Sequence, residues 1–208
     1  VGTNFSGYVG NSYDVSDYVN FEGDNVIVIR VDATQYEGWF YEGAGIYRHV
    51  WLNITDKIFI PNDGVFVHSK VNGKKAIVTI ETEVENKNLK HSNAVVYSII
   101  TDRNGKQLAK TSEQKVALSV NEKTTIKQNL NLNNVTLWSL ENPYLYKVIS
   151  VIKQNNQIVH QTKTRFGIKT VAFDAKKGFF LNGKHIKIQG TNNHQDHAGI
   201  GSALPDFM

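Results

Sequence analysis

The sequence predicts an all-β chain whose central part is a two-sheet β-sandwich. Apolar and polar residues alternate along most segments, a pattern typical of strands with one buried face, and helical periodicity is almost absent. Asn-Gly pairs separate several segments and favour tight hairpin turns with positive φ. A hydrophobic content of 40% in 208 residues is enough to bury a core.

The strand pattern is clearest at residues 76–86. One face of this strand carries Ala76, Val78, Ile80, Thr82 and Val84, and the other carries Ile77, Thr79, Glu81, Glu83 and Glu85. Further strands are predicted at 25–31, 46–52, 94–101, 114–120, 124–132, 145–153 and 157–168. The strands between residues 62 and 170 predict a sandwich of immunoglobulin size.

Turns and core residues follow from the same pattern. Tight turns are predicted at Asn72-Gly73, Asn104-Gly105 and Asn182-Gly183. The chain has no cysteine, which excludes disulfides and thiolate metal sites, so apolar packing must hold the two sheets together. We expect that packing to involve Val95, Tyr97, Ile99, Val148 and Val151.

The two flanks of the sandwich differ from it in character. Residues 1–60 are rich in aromatics and glycines, and residues 172–208 open with a predicted hairpin at 178–185. A short apolar strand is predicted at 186–188, followed by a polar segment at 190–197. Composition and turn signals therefore place domain boundaries near residues 61 and 171.

Charge and hydropathy exclude two classes of partner. The net charge is +4, but lysine and arginine are dispersed over turn-like stretches with no aromatic platform between them, so no nucleic-acid partner is expected. No run of about 18 apolar residues is present to cross a bilayer, so no membrane partner is expected. The start of the chain has no signal-peptide features and looks cut rather than natural.

The His-Gln-Asp-His segment at 194–197 is a candidate ligand cluster. Imidazole and carboxylate groups are ordinary ligands of zinc, so a metal site is one interpretation. On an extended strand, however, His194 and His197 would point to opposite faces, and no third strong ligand is near in the sequence. Hydrogen bonding to a sugar or within the structure is favoured over a metal, and a solvated loop is the remaining alternative.

Residues 36–51 combine aromatic side chains with glycines and carboxylates. Aromatic rings suit the apolar faces of sugars, and carboxylates accept hydrogen bonds from hydroxyls, so this segment predicts a carbohydrate-lined cleft; the alternative is an aromatic-filled sandwich edge. Glu37 and Glu42 are disfavoured as the two carboxyl groups of a retaining glycosidase, because nothing beyond their residue type supports that role.

Three motifs, in order along the chain, resemble glycoside hydrolase family 2, which includes β-galactosidases, β-glucuronidases and β-mannosidases. They are Gly-Ala-Gly-Ile-Tyr-Arg-His-Val-Trp-Leu at 43–52, Leu-Trp-Ser-Leu-Glu-Asn-Pro-Tyr-Leu-Tyr at 137–146, and Phe-Gly-Ile-Lys at 166–169 with Phe-Leu-Asn-Gly-Lys at 180–184 and Gly-Thr-Asn-Asn-His at 190–194. The resemblance covers essentially the whole chain and implies an internal fragment of a larger enzyme.

The resemblance implies a domain order and an activity. Residues 1–60 would be the C-terminal part of a jelly-roll sugar-binding domain, 61–171 an immunoglobulin-like β-sandwich, and 172–208 the truncated start of a catalytic (β/α)8 barrel with its first strand. The parent would be a retaining exo-β-glycosidase, most similar in wording to the β-galactosidase branch, with both catalytic glutamates beyond residue 208. This chain alone is expected to be inactive, and its sandwich is expected to act as a structural spacer.

Site residues are carried over only where they match the family's motifs. His194 resembles a histidine that contacts a sugar hydroxyl, with Asn193 and Asp196 beside it, although Asn193 stands where arginine is more frequent. Glu37, Trp39 and Tyr41 match the segment that reaches towards the barrel mouth, so the expected substrate-binding set comprises His194, Asn193, Asp196, Glu37, Trp39 and Tyr41. No cofactor or metal is expected in this chain, while a divalent cation stays open for the parent.

The expected partner of the parent is a β-linked oligosaccharide or glycoside, and a homo-oligomer stays open. A periplasmic or secreted bacterial enzyme is favoured over a cytoplasmic one. Two other function classes are kept: a stand-alone carbohydrate-binding or adhesion module, which would need exposed aromatics on the sandwich, and a protein–protein module that pairs through strand edges.

Overall fold

The computed structural model describes residues 1–32, 34, 45–192, 197–201 and 203–207. The chain divides into two compact units. One unit is Asn53–Gln189, and the other combines Val1–Leu52 with Gly190–Met208.

All the named strands of the described residues lie in the unit Asn53–Gln189. They are β1 (Ile58–Phe59), β2 (Val65–Asn72), β3 (Lys75–Asn86), β4 (Ser92–Thr101), β5 (Gln107–Lys110), β6 (Gln114–Leu118), β7 (Lys123–Asn133), β8 (Tyr146–Gln154), β9 (Gln157–Phe166), β10 (Val171–Asp174), β11 (Gly178–Leu181) and β12 (Lys184–His185). The predicted all-β class is confirmed.

The first nine strands form two antiparallel sheets. In the four-stranded sheet, β3 pairs with β7 along one side and with β2 and β1 along the other. In the five-stranded sheet, β4 pairs with β8 along one side and with β5 and β6 along the other, and β9 pairs with β8. β10, β11 and β12 form a separate small sheet. The predicted two-sheet sandwich is therefore present.

The core lies between the two sheets as two apolar clusters, each with residues from both sheets. The first comprises Ala76, Val78, Ile80, Ile100, Leu132, Tyr146, Val148, Phe166 and Ile168. The second comprises Ile58, Ile60, Val84, Ala94, Val96, Leu118, Ile126 and Ile152. Apolar contact between facing sheets is the main stabilising term of such a sandwich.

A buried polar layer separates the two clusters. Thr82, Ser98, Gln128 and Ser150 each occupy the strand position between one cluster and the other, and all four are buried. Ser98 Oγ donates to Gln128 Oε1 at 3.0 Å, and the hydroxyls of Thr82 and Ser150 lie 3.4 Å apart. Because buried polar groups are costly unless paired, these bonds make the layer compatible with the core.

The predicted faces are right for β3 and partly wrong for β4. Ala76, Val78 and Ile80 face the core as expected. Val95 and Ile99 are only half-buried, because the outer face of β4 takes the odd-numbered residues and its core face takes the even ones. Tyr97, Val148 and Val151 are all buried, but of these only Val148 belongs to a core cluster between the sheets.

The predicted turns occur where expected. Asn182 and Gly183 have φ of 52° and 77°, as a two-residue type I′ turn between β11 and β12 requires. The β2–β3 turn has positive φ at Gly73, and the β4–β5 turn has it at Gly105. The short strand predicted at 186–188 is wrong, because β12 ends at His185 and only the Ile186 amide, which donates to the Phe179 carbonyl, extends the pairing.

The described residues of the other unit contain one 3-10 turn, Ser16–Tyr18, and an isolated bridge between His197 and Gly201. The strands predicted at 25–31 and 46–52 are wrong. A strand needs a partner for its backbone N–H and C=O groups, and none of the described residues pairs with these two segments in a ladder.

Candidate functional site

The six predicted substrate-binding residues lie outside the described residues. They are His194, Asn193, Asp196, Glu37, Trp39 and Tyr41. The alternative carboxylate Glu42 lies outside them as well. Their roles stay predictions.

Described residues that flank these two segments meet in one place. His49 Nε2 lies 3.0 Å from Asp206 Oδ2, although the residues are 157 positions apart in the sequence. The Trp51 ring packs edge-on against the His49 ring, with centroids 5.2 Å apart. The His49 side chain is 56% exposed and that of Asp206 is 80% exposed, so a solute can reach both.

The pair of His49 and Asp206 can present an oriented imidazole to a second partner. A carboxylate that holds one imidazole nitrogen fixes the orientation of the ring and leaves the other nitrogen for a second partner. No spacing rule predicts a contact across this separation, so the sequence alone did not indicate it. The usable signal was that His49 lies within the first family-like motif and that Asp206 lies downstream of the last.

The second and third family-like motifs meet at a junction between the sandwich and the following hairpin. The Trp138 amide donates to the Ile168 carbonyl at 2.8 Å, and the Asn182 side chain donates to the Trp138 carbonyl at 2.9 Å. Lys169 Nζ lies 4.9 Å from the centroid of a Trp138 ring, within cation–π range. We call Trp138, Gly167, Ile168, Thr170 and Asn182 the junction.

Gly167 and Asn182 each have a local reason to occupy the junction. A β-carbon on Gly167 would lie 3.0 Å from Trp138 Cβ, closer than ordinary van der Waals contact, so only glycine lets the tryptophan pack this tightly. Asn182 Oδ1 accepts a hydrogen bond from the Thr170 amide at 3.0 Å, and its backbone amide donates to the Thr170 carbonyl. The motifs at 137–146, 166–169 and 180–184 therefore build structure rather than reactive chemistry.

The remainder of the second motif closes one end of the sandwich. Arg103 Nη2 donates to Asn142 Oδ1 at 3.1 Å, and its guanidinium lies 4.1 Å from the Tyr144 ring centroid. The Tyr146 hydroxyl accepts a hydrogen bond from the Thr136 amide at 2.7 Å. These contacts anchor the loop between β7 and β8 to the first apolar cluster.

A cavity of about 310 Å³ lies beside this loop. Its walls include Asp102, Asn131, Asn133, Tyr144 and Tyr146. Asp102 Oδ1 already accepts hydrogen bonds from two amides of its own turn, and the Tyr144 ring is already stacked by a guanidinium. Two of the groups that could recognise a sugar here, Asp102 Oδ1 and the Tyr144 ring, are therefore committed to the fold.

Carboxyl groups of the sandwich are held in the charged form. A hydrogen bond from Lys127 lowers the pKa of Glu81. Burial raises the pKa of Glu85, but hydrogen bonds from Lys87 and Lys123 lower it further than burial raises it. A general acid needs a raised pKa, and every described carboxyl with a resolved shift has a lowered one.

Neither metal-ligand clusters nor membrane spans occur in the part of the chain that the structure describes. No group of three or more His, Asp or Glu side chains comes together there as a metal site would require. No described helix has the length and hydrophobicity needed to cross a bilayer.

Comparison with known proteins gives consistent matches. The sequence model described as glycosyl hydrolases family 2 matches residues 58–169, which spans the sandwich. A β-galactosidase from Bacteroides ovatus is 34% identical across 95% of this chain and 23% of its own length. A β-glucuronidase from Formosa agariphila is 28% identical across 100% of this chain and 24% of its own length.

Solved structures agree. A glycosyl hydrolase family 2 member from Bacteroides cellulosilyticus superposes with a TM-score of 0.76 at 33% identity, over 83% of this chain and 24% of that one. A family 2 β-glucuronidase superposes with a TM-score of 0.67 at 31% identity, over 73% of this chain and 17% of that one. The chain thus spans about a quarter of the length of the curated relatives it matches. With the family's model matching more than half of its residues, the chain belongs to glycosyl hydrolases family 2.

Proposed function

We propose that this chain is the sandwich-bearing part of a retaining exo-β-glycosidase that hydrolyses terminal β-D-galactosyl residues. Membership of family 2 supports the glycosidase class. The observation that carries the galactoside assignment is the 34% identity to the Bacteroides ovatus β-galactosidase across nearly the whole chain. The β-glucuronidases from Formosa agariphila and Bacteroides fragilis are less similar, at 28% and 31%.

The proposed role of the sandwich is to orient its neighbours. On this proposal, residues 1–60 end a jelly-roll sugar-binding domain and residues 172–208 begin a catalytic barrel that supplies the acid/base and nucleophile. The junction supports this role, since Asn182 bonds both to Trp138 and to Thr170 and so fixes the path of the chain as it leaves β9. A spacer must transmit orientation, and hydrogen-bonded junctions do so better than flexible linkers.

The proposed substrate contacts are the six residues predicted from the sequence, with His194 as the main sugar-hydroxyl partner. The contact between His49 and Asp206 supports a shared site, because each of these residues belongs to a segment next to a predicted one. A sugar bound there would meet imidazole, carboxylate and aromatic groups, which together suit its hydroxyls and its apolar face.

A stand-alone carbohydrate-binding module is the weaker interpretation. Such a module needs exposed aromatic rings on the sandwich, yet Tyr97, Tyr146 and Phe166 are buried. Among the described residues 58–169, Phe66 is the aromatic side chain that is largely exposed, at 61%. One ring does not make a platform for a polysaccharide.

The test compares the longer enzyme that contains this sequence with the 208-residue chain alone. Both are assayed on nitrophenyl β-galactoside, β-glucuronide, β-mannoside and β-glucoside, with and without EDTA to reveal any need for a divalent cation. We expect the longer enzyme to cleave the β-galactoside selectively, with retained anomeric configuration by NMR, and the chain alone to be inactive. Preference for the β-glucuronide would refute the galactoside assignment, and turnover by the chain alone would refute the spacer role.

A matched pair of variants tests the proposed sugar contact in the longer enzyme. His194→Ala should lower kcat/KM by roughly 100-fold, the usual cost of a lost hydrogen bond to the reacting sugar. His185→Ala is the control, because His185 is an exposed histidine on the hairpin strand β12. Equal effects of the two substitutions would contradict a specific role for His194.

A further inference from the structure

The outer face of the five-stranded sheet carries an excess of cations. We call it the basic face, and it comprises Lys110, Lys115, Lys147, Lys153, Lys163 and Arg165. Their positions follow from the register: each lies on the same side of the sheet as Val95, Tyr97, Ile99, Ile149 or Val151. Most of these cationic side chains are exposed.

Few carboxylates neutralise the basic face. Among the described residues, one carboxylate forms an ion pair with the basic face: Glu113 Oε1 lies 2.9 Å from Lys153 Nζ. Asp102 lies at the end of β4, but its carboxylate accepts hydrogen bonds from the amides of Asn104 and Lys106 in its own turn. The basic face therefore keeps a strongly positive potential.

The register makes this potential costly. Lys147 lies directly opposite Arg165 in the β8–β9 ladder, and like charges in that relation destabilise a sheet. Lys163 lies only two residues from Arg165, about 7 Å along the same face. The like charges at these positions are not compensated by a carboxylate among the described residues. Uncompensated repulsion of this kind is typical of functional surfaces.

The other sheet of the same sandwich provides the comparison. There the register pairs Glu81 with Lys127 and Glu85 with Lys123, and the charged atoms lie 2.9 Å and 3.1 Å apart. The same fold therefore balances its charges on one outer face and leaves them unbalanced on the other. Solubility alone would not require this asymmetry.

Some lysines of the basic face are explained by their role in covering apolar surface, but others are not. Lys110 Nζ and Lys153 Nζ lie 4.1 Å and 5.1 Å from the Tyr97 ring centroid, so these two side chains shield the ring from water. Lys163 and Arg165 are exposed on β9, and neither side chain lies over an aromatic ring of the described residues. Their charges remain free for a ligand.

We propose that the basic face binds an anionic polysaccharide, one that carries carboxylate or sulfate groups. Along the described strands the face has cations on either side of a buried tyrosine, so it offers charge over a wide area but no exposed ring for base stacking and no projecting helix for a DNA groove. Of its central apolar side chains, Val151 is buried and Val95 and Ile99 are half-buried, so none projects far enough to insert into a lipid surface. This inference is independent of the galactoside assignment.

The experiment titrates the 208-residue chain with dextran sulfate, polygalacturonate and neutral dextran, and with duplex DNA and anionic vesicles, by calorimetry at low and at physiological salt. We expect binding of at least one charged polysaccharide and none of dextran, with affinity falling as salt rises. Dextran sulfate and polygalacturonate distinguish sulfate from carboxylate recognition. The double variant K163E/R165E should bind about 10-fold or more weakly, because two of the contacts that release counterions are reversed in sign.

The control variant is K70E/K75E, which changes net charge equally on the outer face of the four-stranded sheet. We expect its affinity to stay within about 2-fold of the unmodified chain, by the additivity expected of sites that share no contact. K163E/R165E should unfold at the same or higher urea concentration, because the carboxylate introduced at position 165 would face Lys147 across the ladder. Equal weakening in both variants would show attraction by net charge only, and equal affinity for duplex DNA or anionic vesicles would overturn the polysaccharide assignment.

Discussion

Replacing Asn182 should loosen the junction by an amount that depends on the substitution. The Asn182 side chain donates to the Trp138 carbonyl at 2.9 Å and accepts from the Thr170 amide at 3.0 Å, while its φ of 52° lies in the left-handed region. Asn182→Ala removes both bonds, about 1 kcal/mol each, and adds about 1 kcal/mol for a left-handed alanine. We expect a loss of about 3 kcal/mol in the free energy of unfolding.

Two further variants separate the causes. Asn182→Gly removes the same bonds but adopts positive φ freely, so its cost should be about 2 kcal/mol. Asn182→Asp keeps the acceptor for the Thr170 amide and tolerates positive φ, but it replaces the donor to Trp138 with a carboxylate oxygen that faces the Trp138 carbonyl, so its cost at neutral pH should be about 2 kcal/mol. The Gly and Asp variants are therefore both expected to be more stable than the Ala variant, and the Asp variant should gain stability in acid.

Urea unfolding followed by circular dichroism measures these differences, and amide hydrogen exchange locates them. The Trp138 and Thr170 amides should exchange faster in the Gly and Ala variants, because both belong to the same hydrogen-bonded junction. If all three variants unfold within about 0.5 kcal/mol of the unmodified chain, the junction is not a stabilising element and the argument fails. Equal costs for Gly and Ala would refute the φ contribution.

Three other substitutions test the packing and pH response of the sandwich. Asn86 is fully buried and its amide donates to three backbone carbonyls, so Asn86→Asp should cost about 3 kcal/mol at neutral pH, less in acid, by urea unfolding at several pH values. Gly167→Ala should cost about 1–2 kcal/mol in the same assay, because its β-carbon would crowd Trp138. Burial lowers the pKa of His160 below 6.5, so stability is full above pH 6.5 and falls as pH drops towards the lowered pKa; His160→Phe should flatten that part of the profile.

The sequence could predict the sandwich because most of its strands have one apolar face. The alternation in β3 assigns Ala76, Val78 and Ile80 to the core without ambiguity. It could not assign β4, where apolar residues occupy both faces, since Val95 and Val96 are adjacent and a period of two does not choose between them. Burial of the outer face beneath lysine side chains is a tertiary effect that no strand pattern shows.

The strands predicted at 25–31 and 46–52 are wrong mainly because the sequence cannot show whether a strand has a partner to pair with. Residues 25–31 have the composition of a strand, but composition describes a surface that fits a sheet and does not supply the neighbouring strand. Turn chemistry was more informative, because an Asn-Gly pair predicts positive φ from the chain itself, as at Asn182 and Gly183. The Asn155-Asn156 turn between β8 and β9 also has positive φ at both residues, and the known tolerance of asparagine for this region would have predicted it.

The residues that identify the family are distinct from those expected to recognise the sugar. Trp138, Gly167 and Asn182 contact one another, so each constrains the others and the motifs are specific as a set. That coupling explains why segments far apart in the sequence can identify the family without containing a reactive group. On the function proposed above, selectivity for one sugar is expected from the flanking segments rather than from the sandwich, and the contact between His49 and Asp206 makes them the first place to look.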